Sequence, residues 1–230
     1  MRRVVVISAG LRKPSSTRLL ADLLGDASAR ALRDLGEEVE VEVVELRDHA
    51  HDLTNALLSG FASEELQGVL DRVAHADGLI AVTPIFSASY NGLFKSFFDV
   101  LPEGGLHDKP VLLGATAGTV RHSLALEFAV RPLMAYLKAD TVSTSVFAAS
   151  EDWGATAGAG QSPAASEGTD GAIDDSARDT ATQAAHGSLR ARATRAGAEF
   201  AAEVHARGDV VVPNEFAVVD FTELLRGAGD

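Results

Sequence analysis

Cysteine is missing from all 230 residues, and its absence excludes disulfides, a thiolate nucleophile and a zinc–cysteine site. Long hydrophobic runs are missing too. No apolar stretch nears the roughly 20 residues that a membrane span needs. The opening MRRVVVISAG is too short in its apolar part for a secretory signal, so residues 4–7 read as a first buried strand. Basic residues are the scarcer charge, 20 Lys and Arg against 33 Asp and Glu, for a net charge of −13. Nucleic acid and anionic membranes both need a basic surface, so neither is an expected partner. There is no GxGxxG of a nicotinamide-type Rossmann turn, no GxxxxGK[ST] of a P-loop, and no GxSxG nucleophile motif. His49-x-His51-Asp52 has a superficial look of metal ligation, but no further ligands stand at helical or strand spacing, and no metal is expected. A cytoplasmic location fits these absences.

What is present fits one substantial domain with a real core, or at most two small ones: 46% of residues are hydrophobic and 23% charged. Apolar runs alternate with helical patterns, the signature of a parallel sheet with crossover helices. Strands are expected at 4–9, 39–46, 79–83, 111–116 and 141–147. The first, third and fourth are continuous apolar runs, as strands covered on both faces should be. The second alternates, with Val39, Val41 and Val43 against Glu40 and Glu42, and the fifth alternates less cleanly, so these two are the expected edges. Right-handed crossovers then favour an α/β, doubly wound, five-stranded parallel sheet of order 2-1-3-4-5 with helices on both faces.

Ser15 or Ser16 caps a helix carrying Leu19, Leu20, Leu23, Leu24, Ala27 and Ala31 on one stripe. Ser63 opens a second, with Leu66, Val69, Leu70 and Val73. A third is expected from about Ser89 to Leu101, and a fourth from about Arg121 to Leu137, kinked or divided at Pro132. The expected organisation is a core over 1–150, a Gly/Ala-rich flexible insert over 151–175, and a C-terminal helix and docking tail over 176–230. The last helix carries Leu189, Ala193, Ala196, Phe200 and Val204 on one side. The insert is read as a mobile connector, with a functional lid as the alternative. The apolar tail is expected to dock, on its own domain or on a second subunit.

Ligands of an open α/β sheet bind outside the carboxyl ends of its strands, and three polar, turn-rich loops follow strands one, three and four. In the first, Gly10 lets the chain turn close to a ligand, Ser15, Ser16 and Thr17 offer hydroxyls at a first helical turn, and Arg12, Lys13 and Arg18 offer charge. A helix N-terminus with such donors suits a phosphate. In the second, Thr83–Gly92, Pro84 fixes the backbone while Ile85 and Phe86 give flat apolar surface for a ring, followed by Ser87. Lys95 and Asp99 are read as a structural pair, and Phe94, Phe97 and Phe98 as core or subunit-interface surface. In the third, Thr116, Ala117, Gly118 and Thr119 are small, so backbone N–H groups can reach a ligand's edge. His122 behind them is a candidate for stabilising negative charge on a reduced ring, with an ordinary solvated histidine as the alternative. One loop for a phosphate and two for a flat ring describe a flavin site.

The segments SAGLRKPSSTRLL, TPIFSASYNGLFK and ATAGT, in that order, resemble the NAD(P)H-dependent FMN reductases of the flavodoxin-like superfamily, over roughly residues 2–150. The likeness extends to the branch that serves luciferase-like flavin monooxygenases. By this resemblance the fold is flavodoxin-like and Arg12, Ser15, Ser16 and Thr17 hold the FMN phosphate. Pro84, Ile85 and Phe86 contact the isoalloxazine, and Thr116, Ala117, Gly118 and Thr119 line its other edge. The family's Gly-Ser-x-Arg opening stands here as Ala9-Gly10-Leu11-Arg12, so the usual first serine contact is lost, with Ser8 as its candidate replacement. The implied activity is hydride transfer from NAD(P)H to FMN, with the cofactor doing the chemistry and reduced flavin passing to a monooxygenase partner. A homodimer is implied as well. The alternatives are an FMN-retaining quinone or azo reductase, a flavodoxin-like electron carrier, and a binding or scaffold protein.

Overall fold

A strand covered on both faces has no polar side to show, and the three continuous apolar runs accordingly form the middle of a parallel ladder. The computed structural model describes residues 1–153 and 175–207, and of residues 175–188 the helical backbone alone. With elements numbered in chain order, β1 (Arg2–Ser8), β3 (Gly78–Phe86) and β5 (Pro110–Ala117) lie side by side, Val6 opposite Ile80 and Ile80 opposite Leu112. β2 (Val39–Glu45) pairs with the outer side of β1, Ser8 opposite Glu45. Its Val39, Val41 and Val43 pack partly against the core, as the alternation predicts.

Among the described residues the sheet has seven strands, where the sequence predicts five in the order 2-1-3-4-5. The order is β2-β1-β3-β5-β6, the last being Asp140–Thr141, with β4 (Ser89–Tyr90) beside β3 and β7 (Val146–Ala149) beside β5. Two local events make the difference. The expected fifth strand is broken into β6 (Asp140–Thr141) and β7 (Val146–Ala149), both paired with β5. Across the break the backbone finds other partners: Ser143 and Thr144 donate their N–H groups to the Glu199 carboxylate at 2.6 and 3.2 Å, and Arg131 donates to the carbonyls of Val142 and Ser143. A backbone satisfied by side chains has no need of the ladder. The second event is β4 (Ser89–Tyr90), which folds back antiparallel on Ile85 and Phe86 through Ser87 and Ala88, at φ 49° and 66°. Two successive positive φ values are what a tight hairpin turn needs, though neither residue is a glycine.

That hairpin displaces the start of the third expected helix from Ser89 to Gly92: α4 spans Gly92–Asp99, capped by Asn91. The fourth expected helix is divided at its proline. A π-helical turn at Leu126–Val130 leads into α5 (Arg131–Tyr136), which carries Pro132 in its first turn. Proline lacks the N–H of the helical ladder and crowds the carbonyl four residues back, so the ladder widens ahead of it. α1 (Ser16–Asp34) is capped by Ser15, and Leu20, Leu24 and Ala27 of its predicted stripe are buried, while Leu19 is half-exposed. α2 (Ala50–Ser59) was not expected from the pattern; α3 (Glu64–His75) starts at the predicted Ser63 and buries the predicted four residues.

α2, α3, α4 and α5 cover one face of the sheet, and α1 with α6 (Asp175–Ala206) covers the other. Leu189, Ala193, Ala196, Phe200 and Val204 of α6 are all buried. Gly197 sets how closely α6 approaches α1, since a Cβ there would stand 2.8 Å from the backbone of Ala27 and Ser28. The insert from residue 154 and the tail over 208–230 lie outside the described residues.

At the amino end of β5, buried Lys109 donates from Nζ to the carbonyls of Ala74 (3.0 Å) and Ala76, where α3 ends. Burial lowers its pKa from the ordinary 10.5 to about 8, against the opposing charge of Asp77. Between these values the unfolded chain binds more protons than the native one, so this group makes stability rise with pH across that window. The expected rise is on the order of 2 kcal/mol between pH 8 and 10. Urea unfolding at the two pH values is expected to show it in the natural protein, and Lys109→Met is expected to remove it.

Candidate functional site

The carboxyl ends of β1, β3 and β5 bring the three predicted loops to one end of the sheet. Ala9 donates its N–H to Val82 at 2.9 Å, and Pro84 lies opposite Thr116 in the ladder. Asn91 ties the first loop to the second: its Nδ2 donates to the Ala9 carbonyl at 2.7 Å, while its Oδ1 accepts from Phe94 N at 2.8 Å. The first loop meets the third where Thr17 Oγ1 and Thr116 Oγ1 hydrogen-bond at 2.8 Å, both buried.

Within the first loop, a Cβ on Gly10 would fall 2.1 Å from Ser15 Oγ, so this position has no room for a side chain. Ser15 Oγ accepts from Arg18 N at 3.1 Å, and the N–H groups of Ser16 and Thr17 stay without an acceptor among the described residues. Ser16 and Arg12 are exposed. Ser8 is fully buried, and its hydroxyl has no partner among the described residues. The hydroxyls of Thr17 and Thr116 hold each other beneath the loops, so what these two residues present to a ligand is backbone.

The predicted cationic cluster is smaller than its sequence. Arg18 pairs with Asp22 at 2.8 Å and with Glu45 at 2.9 Å; the Asp22 hydrogen bond above all raises its pKa, against desolvation. Arg12 and Lys13 make no ion pair among the described residues.

In the second loop Pro84 and Ile85 are buried, Phe86 is 50% exposed, and Ser87 stands exposed at the hairpin tip. In the third, Ala117 and Thr119 are half-buried. Gly118 is exposed, with nothing within 4 Å of where a Cβ would be. Thr119 caps a short turn through Arg121 N (3.4 Å), and half-buried His122 follows, its ring without a hydrogen-bond partner among the described residues. Lys95 and Asp99 form the predicted pair, and Phe94, Phe97 and Phe98 are core.

Three residues that organise the site escape the pattern reading. Asn91 stands before a helix start and is legible as a cap, but its bond to Ala9 is not. Glu45, the last residue of β2, and Arg47 just past it look like ordinary surface charges, yet Arg47 donates to the Arg12 carbonyl at 2.8 Å. A groove of about 340 Å³ lined by Arg3, Glu40, Glu42, Asp71, Arg72 and His75 lies along β1, β2 and α3, where Arg72 and Glu42 neutralise each other at 2.9 Å.

A doubly wound parallel sheet with its loops gathered at the switch between β1 and β3 defines a flavodoxin-like α/β protein. Residues 2–154 match the family described as NADPH-dependent FMN reductase. An FMN reductase (NADPH) of Pseudomonas aeruginosa is 38% identical over 153 residues, 66% of this chain and 78% of the relative. The NADH-dependent FMN reductase SfnF of Pseudomonas putida is 36% identical over 149 residues, 65% and 78% of the two. Among solved structures, an oxidoreductase from Corynebacterium diphtheriae superposes with a TM-score of 0.75 at 36% identity, covering 90% of this chain and 99% of that one. The apo form of the NADH:FMN oxidoreductase EMOB, at 24% identity and a TM-score of 0.66, covers 90% and 92% and shares the fold.

The chain belongs to the NADPH-dependent FMN reductase family. It is therefore an oxidoreductase, of a family whose members are named for FMN and a nicotinamide dinucleotide.

Proposed function

We propose that this chain reduces FMN with NAD(P)H and releases the reduced flavin to a partner flavin-dependent monooxygenase. The observation that carries the reading is the convergence, at one end of the sheet, of a first helical turn whose Ser16 and Thr17 N–H groups have no acceptor among the described residues, a half-exposed phenylalanine and an open glycine turn. These residues fit FMN. The N–H groups at Ser16 and Thr17, with the hydroxyls of Ser15 and Ser16 and the charge of Arg12, suit a phosphate. Gly10 keeps the loop narrow, and Ser8, two residues before it, has a buried hydroxyl without a partner among the described residues.

Pro84, Ile85, Phe86 and Ser87 would offer one side of the isoalloxazine an apolar surface. Backbone N–H groups from Thr116 to Thr119 would meet its polar edge, with His122 behind them. FMN, when bound, would supply the redox chemistry, as the acceptor of a hydride from the nicotinamide and of a proton. The protein's part is to orient the ring and to aim N–H dipoles where negative charge gathers. Release is supported by the neutralisation of Arg18, which leaves only part of the loop's cationic charge facing a phosphate.

A homodimer belongs to the same reading, supported by the exposed apolar side chains of Leu124, Phe128 and Tyr136. Among the described residues no helix is long and apolar enough to cross a membrane. Reliance on NAD(P)H is what supports a cytoplasmic location.

The test is NAD(P)H oxidation by the purified protein, with and without added FMN, beside a flavin titration. Turnover that requires added FMN is the expected result. Turnover indifferent to FMN but dependent on a quinone or azo acceptor would replace release with retention. Binding without turnover would leave a carrier, and failure to bind flavin would overturn the reading.

A further inference from the structure

The loop between Gly10 and Pro14 has almost nothing holding it. Among the described residues, one hydrogen bond joins it to the rest of the protein: Arg47 Nη1 to the Arg12 carbonyl, at 2.8 Å. Arg47 is itself mostly buried, its Nε without a hydrogen-bond partner among the described residues. Its side chain is 15% exposed, it pairs with Glu45, and it reaches Asp48 at 3.7 Å. Glu45 also takes Arg18 Nη1 at 2.9 Å, and Arg18 sits in the first turn of α1. One carboxylate at the end of β2 therefore holds both flanks of the loop, the Arg12 side through Arg47 and the α1 side through Arg18.

We propose that Arg47, oriented by Glu45, is a positioning residue for the phosphate of FMN; the proposal rests on the reading that this phosphate lies on the first loop. The reason is peptide geometry. A trans peptide points its C=O and the next N–H in opposite directions. Drawing the Arg12 carbonyl onto a guanidinium therefore turns the Lys13 N–H the other way and fixes the plane between them. A loop with one tether loses that plane when the tether goes, and the anion site then has to be ordered at the moment of binding. Glu45 has a second task. It keeps two guanidinium groups close together, where without a carboxylate between them they would repel.

Binding of FMN and of riboflavin, which lacks the phosphate, tests this by quenching of flavin fluorescence, with thermal unfolding measured on the same samples. The natural protein is expected to bind FMN more tightly than riboflavin. Arg47→Ala is expected to cut that preference about tenfold by weakening FMN, with riboflavin unchanged. Arg47→Lys keeps the charge against Glu45 but loses the second donor arm, and is expected to cut the preference about threefold. It carries the test alone if Arg47→Ala does not fold. Equal weakening of both flavins would make Arg47 a structural residue only, and an unchanged preference in both variants would remove it from the site; either result overturns the proposal. A natural protein that binds the two flavins equally well would overturn the placement of phosphate on this loop, and the role of Arg47 with it.

Discussion

Replacing Phe200 by alanine is expected to cost about 3–5 kcal/mol of unfolding free energy. Phe200 is fully buried between α6 and the sheet. Its ring fills the space above Gly78, where a Cβ would stand 2.5 Å from Cζ and 3.0 Å from Cε2. The glycine is the socket and the ring its occupant. The void left by alanine has no side chain at Gly78 to grow into it. Nor can α6 sink toward the sheet to close it, because Gly197 already brings α6 against the backbone of α1. Urea unfolding with an unchanged m-value would measure the loss, and a cost below about 2 kcal/mol would mean that the helix does collapse onto the sheet. Phe200 lies beyond residues 2–154, so the family's matching region depends on a helix outside it to cover one face.

Asn91→Ala is expected to act on stability and on the site together. The side chain is 3% exposed and serves two backbone groups that have no water to turn to: the Ala9 carbonyl and the Phe94 N–H. Orphaning both costs about 2–4 kcal/mol. It also severs the first loop from the second, so flavin affinity is expected to fall by about tenfold in the same variant. Asn91→Asp separates the two tasks. It retains the acceptor for Phe94 N but faces the Ala9 carbonyl with a second acceptor, so the helix keeps its cap while the loops part. Chemical unfolding and flavin titration of the two variants check this. An Asn91→Asp protein binding flavin as the natural one does would show that the link between the loops is dispensable.

How far these features could be read from the chain follows from the range of the interactions behind them. The three central strands and the buried residues of α1, α3 and α6 follow from hydrophobic period, which is a property of neighbours in sequence. The cap at Ser63 is equally local. α4 starts three residues later than the pattern predicts because a hairpin built on Ser87 and Ala88 uses a turn that their side chains do not announce. The break between β6 and β7 depends on Glu199, 56 residues beyond the Ser143 that it holds. The loop's cationic look failed for a similar reason: Asp22 is one helical turn from Arg18, but Glu45 reaches it only once β2 lies beside β1.

Sequence by itself therefore determined a parallel α/β sheet, its two-faced cover of helices, and the three loops that gather at its carboxyl end. Those are consequences of which residues exclude water, and apolar pattern records that directly. Tertiary structure alone decided which polar groups distant in sequence meet. Thr17 with Thr116, Asn91 with Ala9, Arg47 with Arg12 and Glu199 with Ser143 join residues 35 to 99 positions apart. A hydrogen bond depends on a few tenths of an ångström and on angle, and that geometry exists only after the chain has folded.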